Sequence, residues 1–138
     1  MTEPATDGEP GSLYNLVGGL PTMQRLVDAF YRGVENDPIL RPLYPESLDE
    51  PRQWLALFLA QYWGGPAVYS QRRGHPRLRM RHVPFVIGQR ERDAWLGHML
   101  AAIDEVGIEE PARAEMQRYF AEAATFMINN RTNVEDRM

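Results

Sequence analysis

Cysteine is absent from the chain. That excludes disulfides, thiolate zinc sites, iron–sulfur clusters, cysteine nucleophiles and thioether-linked haem. Lysine is absent too, and all 15 basic residues are arginine. Histidine occurs only at His75, His82 and His98. Any metal must therefore use imidazole or oxygen ligands. No apolar run reaches the ~18 residues of a membrane span. The N-terminus shows no basic-then-apolar leader. These absences predict a cytoplasmic protein without membrane association. No window keeps a period-two alternation, so strands are not expected.

What is present fits one all-α domain of 138 residues with a net charge of −4. The acidic balance argues against nucleic acid as a partner. Residues 1–11 and 131–138 lack apolar periodicity and read as tails flanking a domain over 12–130. Ser12 is placed to cap a short helix, LYNLV, that Gly18-Gly19 stop. A second helix is predicted from Pro21-Thr22 to Asn36-Asp37. Its apolar positions Met23, Leu26, Val27, Phe30, Tyr31 and Val34 follow i, i+3, i+4 spacing. A third, capped by Asp49 or Glu50 with Pro51 in its first turn, presents Leu55, Phe58, Leu59 and Tyr62 inward and ends at Gly64-Gly65-Pro66. A fourth runs over about 89–106, with Trp95, Met99, Ile103 and Val106 on one face. A last spans about 110–128, with Met116, Tyr119, Phe120, Ala123 and Met127 inward.

Between them lies Tyr69 to Phe85, YSQRRGHPRLRMRHVPF. It holds five arginines and two histidines and no acidic residue. The spacing predicts a short helix over Pro76–Arg81. Pro84 confines Val83 to extended backbone, so this helix ends at His82. There the His82 Nδ1–H can reach the Leu78 carbonyl, which would fix the tautomer and leave Nε2 for a metal. A surface histidine without a ligand is the alternative. Arg79 shares a face with His82 and suits a carboxylate; a solvated basic face or a nucleic-acid patch are the other readings. A three-histidine zinc site stays open, though no spacing favours it. Tyr31, Tyr44 and Trp95 are predicted to face inward. A buried phenol or indole N–H needs a partner. Together the three would suit a polar pocket around a diatomic ligand; singly, each reads as a structural aromatic.

The run QYWGGPAVYSQRRGHPRLRMRHVPF followed by ERDAW resembles the signature of group II truncated haemoglobins. Gly18-Gly19, Phe30-Tyr31 and Leu43-Tyr44-Pro45 fit it too, over about residues 14–129. The resemblance implies a two-over-two helical sandwich around haem b. It implies His82 as the proximal iron ligand, with Tyr31, Tyr44 and Trp95 as donors to the bound gas. It places Leu55 on the distal wall, and Tyr69 and Arg79 toward the haem propionates. Pro51 stands where many members carry a small or hydroxylic residue at the pocket gate. Trp54 stands where many carry Lys or Arg, and an indole cannot supply that charge to a propionate. The implied function is reversible binding of O2, and of CO and NO, with tight binding and slow release. Oxidation of nitric oxide would further need an electron-donating reductase. A peroxidase-like haem enzyme acting on peroxide is the alternative, and a cofactor-free helical interaction module a remoter one. A homodimer is left open.

Overall fold

The computed structural model describes residues 8–130. The expected tail segments 1–7 and 131–138 lie outside the described residues. Among those described, all regular structure is helical: α1 (Leu13–Leu16), α2 (Gly19–Glu35), α3 (Asp49–Tyr62), α4 (Val68–Arg73), α5 (Leu78–Arg81), α6 (Gln89–Val106) and α7 (Ala112–Phe126), with a 3-10 turn over Arg41–Leu43. Helix α2 packs on both α3 and α6, and α6 packs on α7. This is the expected two-over-two sandwich.

The α2 stripe explains the core. Met23, Leu26, Val27, Phe30, Tyr31 and Val34 are all buried, as the 3.6-residue period requires. Helix α2 begins two residues before Pro21. That proline falls in the first turn, where its missing N–H costs nothing. Phe30 then meets Trp95 edge-on at 5.2 Å, and Trp95 lies 5.8 Å from Phe120. One aromatic column thus ties α2, α6 and α7 together.

Four expectations need correction. Helix α3 is not capped by Asp49 or Glu50. Its N-cap is Leu48, and the two carboxylates occupy the first turn, where the helix dipole favours negative charge. Tyr62 does not face inward but is 52% exposed. It is the last residue of α3 and packs on Tyr119, ring centroids 4.3 Å apart. Helix α4 was not foreseen. Its start is set by a contact nine residues away: Gln61 accepts from the Ser70 N–H at 2.9 Å and donates to the Ser70 hydroxyl at 2.7 Å. The short basic helix begins at Leu78 rather than Pro76, because Arg77 is left-handed at φ 47°.

Residues 8–11, read as tail, make defined contacts. The Glu9 N–H donates to the Gly64 carbonyl at 2.8 Å, and its own carbonyl accepts from Asn15 at 2.7 Å.

At Asp37, burial pushes the carboxyl up, but the His98 ring and the Ile39 and Leu40 amides outweigh it and hold it below its ordinary value. The His98 Nε2–Asp37 contact is 2.6 Å. The stability this contributes is present above the ordinary carboxylate range and is lost as pH falls through the depressed value. Gly33 makes room for it: a Cβ there would collide with the His98 ring, with Cε1 at 2.9 Å. Gly33→Ala is expected to destabilise the fold by about 1–3 kcal/mol through overpacking. Denaturant unfolding at neutral pH checks this.

Candidate functional site

Between α3, α5, α6 and α7 lies a cavity of about 610 Å³. Its walls include Tyr31, Tyr44, Leu55, Phe58, Tyr69 and Trp95, with Leu78, His82, Phe85 and Phe120 among the others. Most lining groups are apolar, with a few convergent polar atoms, as in small-molecule sites of ~300–1,000 Å³.

His82 lines this cavity at the C-terminal end of α5. Its Nδ1 lies 2.6 Å from the Leu78 carbonyl. A carbonyl only accepts, so Nδ1 carries the proton and Nε2 keeps its lone pair. This is the arrangement expected from the sequence. It makes the ring a competent single metal ligand. Among the described residues no group of three or more His, Asp or Glu side chains is placed to hold a metal ion. His98 is engaged by Asp37, and His75 Nδ1 accepts from the Arg77 N–H at 3.1 Å. The three-histidine zinc reading therefore has no geometric support.

A residue that the sequence reading passed over holds the His82 segment in place. Asn129, just past α7, donates from Nδ2 to the His82 carbonyl at 3.1 Å and the Phe85 carbonyl at 2.9 Å. Its Oδ1 accepts from the Ile87 N–H at 2.9 Å, and its own N–H donates to the Ile87 carbonyl at 2.9 Å. One side chain thus bonds three backbone groups of this loop, and it supplies the partner for the Phe85 carbonyl and the Ile87 N–H, while the His82 carbonyl also accepts from the Phe85 N–H. Only the loop's proline-broken sequence hints that such a partner is needed.

Tyr31, Tyr44 and Trp95 come from α2, the turn after it and α6, and the structure brings them together. The two phenol rings meet edge-on at 5.5 Å. Burial pushes the Tyr31 phenol far above its ordinary value; Tyr44 adds to this and Arg52 offsets part of it. Burial pushes Tyr44 up to about 12, against hydrogen bonds from Trp95 and Tyr31 that lower it. Both phenols therefore stay protonated, and so able to donate, well beyond neutral pH. Tyr44 is the meeting point of the three, since both Trp95 and Tyr31 act on its phenol.

The remaining predicted residues divide. Pro51, Trp54, Leu55 and Tyr69 line the cavity. Trp54 and Phe58 each pack edge-on against Tyr69 at 5.7 Å. Arg79 does not line it; its guanidinium lies over the Phe126 ring at 5.0 Å. Arg73, Arg81 and Arg92 line the cavity instead. Neither Arg73 nor Arg81 was given a site role from the sequence. Arg73 sits over the Trp54 ring at 4.6 Å, a cation–π contact. Trp54 carries no charge of its own, but it holds a cation from α4 at the rim.

An all-helical sandwich that encloses an apolar cavity, with one oriented imidazole and three aromatic donors in it, defines a globin-type ligand-binding protein. A family model for bacterial-like globins matches residues 12–129. Group 2 truncated hemoglobin YjbI of Bacillus subtilis is 41% identical over 119 residues, covering 86% of this chain and 89% of that protein. Among solved structures, a haemoglobin from Chloroflexus aurantiacus is 57% identical with a TM-score of 0.86, covering 88% of this chain and all of that one. A thermostable haemoglobin from Thermobifida fusca is 50% identical with a TM-score of 0.84, over 86% and 97% of the two chains. The protein belongs to the bacterial-like globin family, as a group II truncated haemoglobin.

Proposed function

We propose that the cavity holds haem b on His82 Nε2 and that the protein binds O2 there, tightly and with slow release. The observation that carries this reading is the convergence of Tyr31, Tyr44 and Trp95 in the cavity that His82 lines. The fit is chemical as well as spatial. The walls are apolar and aromatic, one imidazole has its tautomer fixed, and Arg73, Arg81 and Arg92 at the lining offer cations to carboxylates. Pro51 and Leu55 form part of the apolar wall, and Tyr69 with the Trp54–Arg73 pair stands ready for a propionate. Arg79 would have to leave Phe126 to do the same.

Bound haem supplies a redox-active iron with a coordination position left for a diatomic ligand. The chain supplies the rest. His82 is held by Leu78 on one side and, through its backbone, by Asn129 on the other. Tyr44 presents its proton to the cavity, with Trp95 and Tyr31 behind it. A hydrogen bond to a partly charged ligand contributes about 1.5–3 kcal/mol. Each ~1.4 kcal/mol slows release about tenfold at an unchanged on-rate. The same donors serve CO and NO less well, because those ligands gather less negative charge. Slow release suits scavenging, sensing or nitric oxide oxidation with an electron donor, rather than fast delivery. Peroxide cleavage calls for a base that titrates near neutrality. Neither raised phenol is one, which favours gas binding over a peroxidase-like role.

Titrating the haem-free protein with haem is expected to give a stoichiometric Soret band. A colourless protein would overturn the reading. Asn129→Ala is expected to speed haem loss to a scavenging apoglobin severalfold and to destabilise the protein by about 1–3 kcal/mol, since it strands the Phe85 carbonyl and the Ile87 N–H, while the His82 carbonyl keeps its bond from the Phe85 N–H. Asn129→Asp keeps the acceptor for Ile87 but sets a carboxylate oxygen against the His82 and Phe85 carbonyls, so it is expected to be no better than the alanine variant.

A further inference from the structure

From Pro51 to Arg90 the chain has seven arginines and no aspartate or glutamate, while all 19 carboxylates of this net −4 protein lie elsewhere. Five of those arginines, Arg72, Arg73, Arg77, Arg79 and Arg81, sit in α4, α5 and the link between them. None makes an ion pair with a carboxylate among the described residues. In the same region the largest run of exposed apolar side chains comes to the surface: Met80 at 62%, Val83 at 68% and Val86 at 60%, with Phe126 at 55%. Arg79 ties Phe126 to this run through its ring contact. The face is continuous with the cavity, because Arg73, Met80, Arg81 and Phe85 also line that space.

An apolar centre rimmed by unpaired cations has the composition of a protein-docking surface. Its sign selects an acidic partner. Its place beside the cavity selects what the partner does. We infer that the α4–α5 face docks an acidic one-electron donor protein, bringing it to the edge of the bound haem. The inference rests on the haem reading for the destination of the electron. One electron leaves the reduced partner and enters the ferric protein; no bond is made or broken. A nucleic acid would also seek the cations, but Met80, Val83 and Val86 offer its bases no stacking surface, and the Phe126 ring is taken up by Arg79.

The test uses the haem-reconstituted full chain and oxidised flavodoxin, an acidic one-electron flavoprotein, carrying a fluorescent label. Binding is read by anisotropy at ionic strengths of about 0.01 M and 0.15 M, where screening lengths are ~30 Å and ~8 Å. Binding is expected at low salt and at least tenfold weaker at the higher value. The double variant Arg72→Glu/Arg77→Glu is expected to weaken low-salt binding at least tenfold, and Val86→Asp several-fold. The control Arg32→Glu/Arg113→Glu makes the same change in net charge at the far end of α6, where these residues pair with Glu105 and Asp104; it is expected to stay within twofold. Reduction of the ferric protein by reduced flavodoxin follows the same order, while reduction by dithionite is equal in all. Equal binding by the two double variants, or no salt dependence, overturns the inference. So does tighter binding of a labelled single-stranded oligonucleotide than of flavodoxin. Failure of a Soret band to form on reconstitution is a separate result and overturns the haem reading itself.

Discussion

His82→Ala is expected to abolish stable haem retention. Among the described residues His98 is committed to Asp37 and His75 faces solvent beside Arg77, so no second imidazole lines the cavity. Apolar walls alone would hold a porphyrin weakly and without a defined axial ligand. The expected result is a broadened, blue-shifted Soret band and haem transfer to apomyoglobin faster by two orders of magnitude or more. External imidazole is expected to restore the wild-type band, because the pocket that held the ring is intact. An unchanged spectrum in the absence of imidazole would remove His82 from the site.

The second large effect concerns how three donors share one ligand. Trp95 and Tyr31 both act on the Tyr44 phenol, so the three donors are expected to behave as a coupled set and not as independent contacts. Trp95→Phe deletes an N–H that supports Tyr44 and lies within reach of the ligand. It is expected to speed O2 release roughly tenfold to a hundredfold, the range set by one charge-assisted bond. Tyr44→Phe removes the foremost proton but frees Trp95 and Tyr31 to turn toward the ligand, so its effect is expected to be smaller. The double variant is then expected to exceed the product of the single effects, because each donor covers for the other. Stopped-flow release from the ferrous proteins measures all three. Strict multiplicativity would mean that the donors act independently.

Much of this site was legible in the chain, for reasons that differ by residue. The α2 stripe could be read because helical burial has a period. The His82–Leu78 contact could be read because it spans one turn and Pro84 marks the end. The meeting of Tyr31, Tyr44 and Trp95 could not be read from local pattern, since they stand on three elements; only the family resemblance brought them together. Asn129 escaped because its bonds to His82, Phe85 and Ile87 span more than forty residues and carry no periodic signal. Arg73 lines the cavity although no site role was read for it, whereas Arg79 does not line it. A register rule on α5 favoured Arg79, whereas α4, a helix of six residues anchored by Gln61, decides where Arg73 goes. Tyr62 was placed inward by the same logic that succeeded on α2. It failed on α3 because Tyr62 is the last residue of that helix, and its ring packs on Tyr119 while half exposed.

The most direct test of the central claim is the rate of O2 release from ferrous wild-type protein, followed by stopped flow from pH 6 to pH 9. Donors pushed up to about 12 in the case of Tyr44, and further in the case of Tyr31, do not titrate in that window. The predicted result is slow release that does not vary with pH. Fast release, or a rate that rises severalfold across those three pH units, would contradict a pocket closed on its ligand by Tyr44, Tyr31 and Trp95.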